Sequence, residues 1–194
     1  MRTSGKIVVF SIFAVALVMA AFAWWWNRDS GYRSLQFWGK DRALIIRDAP
    51  QVQTYEVLPL SAVPKAGAGT VMVKKHQGNQ ILLQLDDAQD ISSAPGLVHA
   101  RHSLLQDPSF SWAAEPLSAL QDSRNPPRCK YAVRFIDTTG TVTILFDFQD
   151  QYMYCVESQD GIKMSEKSRA GWLSYVRRNR TVFSPQKGDS PEPE

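Results

Sequence analysis

The pattern of apolar and polar positions divides the chain sharply. Ile7 to Trp26 is an unbroken apolar run without charge, in which Ser11 is the one clearly polar residue. A backbone in hydrocarbon has to satisfy its own hydrogen bonds, so the run predicts a helix; about 20 residues at about 1.5 Å each cross the roughly 30 Å of a bilayer core. No polar face runs along it, which argues against the buried core helix of a soluble domain. Beyond Trp26 the apolar positions come in short, patterned groups. Asp41 to Asp48 is a short element stopped by Ala49-Pro50, because the residue before a proline avoids helical geometry. Gln51 to Leu58 alternates and is rich in β-branched and aromatic residues, the signature of a half-buried strand. Pro59 to Gly69 reads as a loop. Thr70 to Lys74 and Gln80 to Leu85 flank a glycine-containing connection and predict a hairpin with His76 near its tip.

The second half alternates between the two periods. Leu97 to Leu105 has the spacing of one helix face, with Ser93 as N-cap and Pro95 in the first turn. Ala113 to Asp122 predicts a brief helix. Lys130 to Ile136, Thr141 to Phe148 and Tyr152 to Glu157 are β-rich runs joined by short polar links, an antiparallel meander. Its alternation sets Tyr131, Val133 and Phe135 beside Val142, Ile144 and Phe146. Asp160-Gly161 reads as a turn. Ser165 to Arg180 predicts a helix capped by Ser165, with Trp172, Leu173 and Val176 as its apolar stripe. The fold class expected is α+β: an N-terminal transmembrane helix, then a small domain in which an antiparallel β-meander is packed by one or two helices. The corresponding organisation is 1–26 anchor or signal peptide, 27–40 juxtamembrane linker, 41–183 α+β domain and 184–194 disordered tail.

Flanking residues leave two fates open for the first segment. Trp24, Trp25 and Trp26 form an amphipathic cluster at its end, as at a membrane interface. Arg2 and Lys6 before it and Ala21-Phe22-Ala23 within it instead resemble a cleaved signal peptide. Retention puts membrane lipid in contact with residues 7–26. A short basic N-tail favours an extracytoplasmic domain, although Arg28 and Arg33 nearly balance the charge on the far side. Cleavage gives a secreted or periplasmic chain.

Composition and motifs narrow the chemistry. A net charge of +3 with mixed signs lacks the concentrated basic stripe of a nucleic-acid binder, so no nucleic-acid partner is expected. Cys129 and Cys155 allow one disulfide, but the meander sets them two strands apart, roughly 9–10 Å, beyond the ~7 Å reach of a bridge, which favours free thiols. Neither a phosphate-binding glycine loop, a dinucleotide fingerprint, a zinc-protease helix, a nucleophile elbow nor an EF-hand loop occurs. His99 and His102 share a helix face at a spacing that can hold a metal, yet two ligands do not make a site, and no metal or other cofactor is expected. Asp147 and Asp150 could pair as general acid and base.

The order of elements, with Val52, Tyr55, Cys129, Arg134, Phe135, Leu145, Phe148 and Gln151 at its key places, resembles a family of small bacterial secreted or membrane-anchored proteins of unknown function. The resemblance spans Ala43 to Arg180 and implies an α+β fold without a known activity. Such proteins carry paired cysteines in the second strand of the meander; here Asp147 and Asp150 stand in those places, so a thiol or metal role is not carried over. The function expected is a single-pass membrane-anchored protein with a non-enzymatic binding or envelope-assembly domain, for which a protein partner is expected but not specified. The alternative is a small secreted hydrolase or metal-dependent enzyme built on His99, His102, Asp147 and Asp150.

Overall fold

A computed structural model of the chain describes residues 5–29, 32–59, 69–74, 80–112 and 128–183. The expected loop over 60–68, the expected turn with His76, the helix expected at 113–122 and the tail at 184–194 lie outside these residues.

The meander forms as its alternation requires. Strands β4 (Tyr131–Asp137), β5 (Gly140–Asp147) and β6 (Tyr152–Cys155) pair antiparallel, and Tyr131, Val133 and Phe135 stand opposite Phe146, Ile144 and Val142. A fourth strand, β7 (Asp160–Lys163), continues it, so Asp160-Gly161 lies in a strand and not in a turn. Local composition misleads there because Gly161 serves packing: it pairs with Tyr154, and a Cβ at Gly161 would stand 2.7 Å from the Tyr154 ring.

On the other side of β4 lies β1 (Gln51–Pro59), followed by β3 (Gln80–Asp90) and β2 (Gly69–Lys74), giving one antiparallel seven-stranded sheet in the order β2-β3-β1-β4-β5-β6-β7. The predicted hairpin is therefore present as β2 and β3, and β3 extends through the polar residues up to Asp90. Those residues join the ladder through a register shift opposite Thr54 and Glu56, with Asp87 at φ 50° on the bulged strand. Arg180 bridges to the Asp87 carboxylate and so fixes the bulge to the last helix.

Helices cover one face of the sheet. After α1 (Gly5–Asp29) come α2 (Tyr32–Trp38), α3 (Lys40–Asp48), α4 (Leu97–Leu104) and α5 (Glu166–Phe183). Tyr32–Trp38, within the stretch expected to be a linker, is thus helical, and Trp38 is fully buried. Trp38, Ile45, Ile46, Leu97, Leu104, Trp172 and Val176 meet Val52, Phe135, Ile144, Phe146 and Met153 in the main core. The ring of Trp172 lies 4.9 Å from that of Phe146. The fold is α+β as expected, with the meander widened to seven strands by β1, β2, β3 and β7 and packed by helices α2 to α5. The opposite face carries a smaller cluster of Tyr55, Val57, Val71, Leu83, Leu85, Ala132, Leu145 and Tyr154.

Helix ends use partners from elsewhere in the chain. The backbone N–H groups of Arg33 and Ser34 in α2 donate to the Asp107 carboxylate at 3.2 and 2.7 Å, and Trp38 Nε1 donates to the Leu104 carbonyl at 2.6 Å. Helix α4 begins at Gly96, in the left-handed region at φ 85°, and not at a Ser93 cap. Ser165 does cap α5, its Oγ accepting the Ser168 N–H at 3.3 Å.

Two glycines should respond in opposite directions to alanine. Gly161→Ala forces the Tyr154 ring aside and should lower stability by about 1–3 kcal/mol. A Cβ at Gly171, in the middle of α5, meets nothing within 4 Å. Gly171→Ala should therefore raise stability by about 0.5–1 kcal/mol, through the lower backbone entropy of alanine. Urea melts of the detergent-solubilised chain measure both.

Candidate functional site

The residues singled out by sequence are divided between the two faces of the sheet. His99 and His102 project from α4 in the helix layer and are exposed. Gln106 Nε2 lies 2.7 Å from His102 Nε2, an arrangement in which the amide donates and the ring nitrogen accepts. Asp147 ends β5 on the other face, paired with Tyr152 beside the cluster of Leu145 and Tyr154. A sheet and the helices packed on it are separated by roughly 10 Å, so the imidazoles and the carboxylate do not share a pocket. Among the described residues no three His, Cys, Asp or Glu side chains gather as metal ligands.

Asp147 is a structural cap. It is 1% exposed, and its carboxylate accepts the backbone N–H groups of Arg128, Gln149 and Asp150 at 3.1, 3.0 and 3.0 Å. These bonds tie the entry of β4 to the turn leaving β5. Asp150 is exposed and contributes its N–H to that cap. Backbone donors thus occupy the carboxylate that would otherwise accept a substrate proton.

The cysteines are separated in the same way. Cys155 lies opposite Ile144 on the helix-covered face, whereas Cys129 belongs to the cluster on the other face, and both are free. Burial pushes both thiols up; the nearby Asp147 carboxylate adds to the effect at Cys129. A thiol held protonated in apolar surroundings is not a nucleophile.

Among the described residues the helix layer carries a groove of about 470 Å³ between α4 and α5. It is built by matching stripes. Gly96, His99, Ala100, Ser103 and Gln106 contribute from α4 and its ends, facing Ser168, Gly171, Trp172, Tyr175 and Arg178 of α5. Both sets follow the i, i+3, i+4, i+7 spacing of one helix face. Small residues at 96, 100, 103, 168 and 171 leave the space between the helices unfilled, and Trp172, whose Nε1 donates to Ser103 Oγ at 3.0 Å, belongs to the same wall. Lys167, His99 and Arg178 contribute basic groups, and no acidic side chain is among its lining. Burial pushes the Tyr175 phenol up to about 12, against the pull of Arg178 and Arg101.

Of the residues picked out by sequence, the groove takes His99 alone among the candidate ligands, and Trp172 from the apolar stripe of α5. Lys167, Ser168 and Tyr175 carry no signal of their own in the sequence, and Ser165 reads there only as a helix cap. The available signal was the pair of helix stripes that carry small and hydroxyl residues where core leucines would be expected. Trp24 and Trp25 lie exposed near the end of α1; the side chain of Trp26 falls outside the described residues. No family model, curated protein or solved structure matches the chain, so its physical chemistry alone carries the functional reading.

Two measurements check these assignments. Asp147→Ala leaves three N–H groups without their charged acceptor and should cost about 2–4 kcal/mol in a urea melt, against about 0.5 kcal/mol or less for Asp150→Ala. Both thiols should resist a disulfide-exchange reagent at pH 8 in the native chain and react fully in guanidinium, as followed by absorbance. Stoichiometric labelling of the native chain would contradict their burial.

Proposed function

We propose that the chain is a single-pass membrane-anchored protein whose α+β domain binds or assembles other molecules and performs no catalysis. The observation that carries this reading is the state of α1. Ile7 to Trp25 is a 19-residue stretch of mean hydropathy 2.6, and none of it is buried. Phe10, Leu17 and Val18 are 77, 70 and 68% exposed. Side chains of this size cost roughly 1.5–3 kcal/mol each to leave in water, so such a helix requires an apolar surrounding. A bilayer supplies it along the full length. Trp24 and Trp25 at its C-terminal end suit the headgroup level, and the short basic N-tail supports a domain outside the cytoplasm.

A binding role in preference to catalysis rests on the division of the titratable groups: His99 and His102 in one layer, the capping carboxylate of Asp147 in the other, and thiols held protonated. The domain contributes a groove of ordinary ligand-binding size, within the range of about 300–1,000 Å³.

The protein should remain in the membrane fraction through high salt and alkaline carbonate and be released by detergent, with its N-terminus retained. Ala16→Arg, at the middle of the span, costs about 2.5–3.5 kcal/mol of insertion and should shift the chain toward the soluble fraction. Recovery of a soluble wild-type chain beginning near Trp24 would reject the anchor. Protection of the domain from external protease in intact cells or spheroplasts, with cleavage after lysis, would reject the proposed side.

A further inference from the structure

We infer that the groove between α4 and α5 is a binding site for an amphipathic organic anion: a carboxylate or phosphate carried on an aromatic or aliphatic body. The inference builds on the reading of the domain as a binding module and is independent of whether α1 is an anchor.

Three separate features point to it. The first is charge: Lys167 and Arg178 stand on the groove about 11 residues apart along α5, roughly 16 Å at about 1.5 Å per residue. His99 faces them from α4, and the lining holds no carboxylate. The neighbouring acid, Glu166, is paired with Arg169. Arg178 is steadied by donating to the Pro95 carbonyl at 3.1 Å.

The second feature is a pair of buried hydroxyls. Ser168 is 9% and Tyr175 8% exposed, both line the groove, and neither hydroxyl has a hydrogen-bond partner. A buried hydroxyl without a partner costs about 1–3 kcal/mol; both oxygens have almost no exposed surface in this groove, so an occupant engages them by turning these side chains outward. One lies toward each end, Ser168 beside Lys167 and Tyr175 three residues before Arg178.

The third is the start of α5, an 18-residue helix whose first turn opens on the groove at Ser165 and Lys167. Its N-terminal dipole and first-turn N–H groups favour an anion. Ser165 Oγ accepts the Ser168 N–H, which leaves the Ser165 hydroxyl proton free to donate outward. The acidic group of the ligand is therefore placed at the Ser165–Ser168 end. Its apolar body lies along Gly171, Ala100 and Trp172, and Tyr175 offers a hydrogen bond at the far end.

The test is calorimetric titration of the full chain in phosphatidylcholine nanodiscs with phenyl phosphate, benzoate and, as the uncharged comparison, benzyl alcohol. Saturable binding of at least one anion is expected, with none by the alcohol. Ser168→Ala, Tyr175→Phe and Lys167→Gln should each weaken it by about tenfold, the scale of one charge-assisted or buried hydrogen bond, whereas Lys130→Gln should leave it unchanged. The anion should also raise the melting temperature of the wild-type chain and not that of Ser168→Ala. Repeating the titration in nanodiscs that contain phosphatidic acid identifies the source. Loss of the isotherm assigns the site to a lipid phosphate, and its persistence assigns it to a soluble anion. Absence of saturable binding by both anions, or binding untouched by all three groove substitutions in folded variants, overturns the proposal. Cell fractionation decides the anchor separately, so either reading can fail alone.

Discussion

The constraint on which the domain depends is the width of one apolar sheet face. Val52, Phe135, Ile144, Phe146 and Met153 lie across neighbouring strands and present a surface that water cannot solvate favourably. A meander alone would leave it open. Helices α2 to α5 are recruited onto it from both ends of the domain, and each contributes large apolar side chains to the same cluster. The contact of Trp172 with Phe146 joins the last helix to the middle of the sheet. Closure of this face brings α4 and α5 side by side, and the groove is what remains where their facing residues are too small to fill the space.

The sheet also divides the chemistry of the domain. Groups that looked like possible partners in sequence lie on opposite sides of it. Cys155 faces the helices and Cys129 joins the other cluster, while strand parity turns Asp147 away from the layer that carries the α4 histidines. The carboxylate is then occupied by backbone N–H groups that would otherwise be unpaired near a buried strand end.

Period and parity made much of this architecture legible in the sequence. The register of β4 against β5 follows directly from alternating residues, and the apolar stripe of α5 follows from helical spacing. The placement of β1 between β3 and β4 did not, because strand order is set by long-range pairing that leaves no local pattern. Asp160-Gly161 looked like a turn, and only the ring of Tyr154 above it explains a glycine inside a strand. The groove was least visible. Its evidence is the absence of bulk at Gly96, Ala100, Ser103, Ser168 and Gly171, and small residues on a helix have an unremarkable local meaning until the opposing helix is known.

Asp107 gives the connection between the two ends of the molecule a specific form. Its carboxylate holds the first turn of α2, its carbonyl receives Trp112 Nε1 at 2.8 Å, and the next two residues, Pro108 and Ser109, border the groove. Only residues 30 and 31 separate the end of α1 from the start of α2. In the proposed membrane setting the first element after the anchor is therefore α2, and Asp107, the Leu105 carbonyl that accepts Ser34 Oγ and the Leu104 carbonyl that accepts Trp38 Nε1 couple that element to the end of α4 beside the groove.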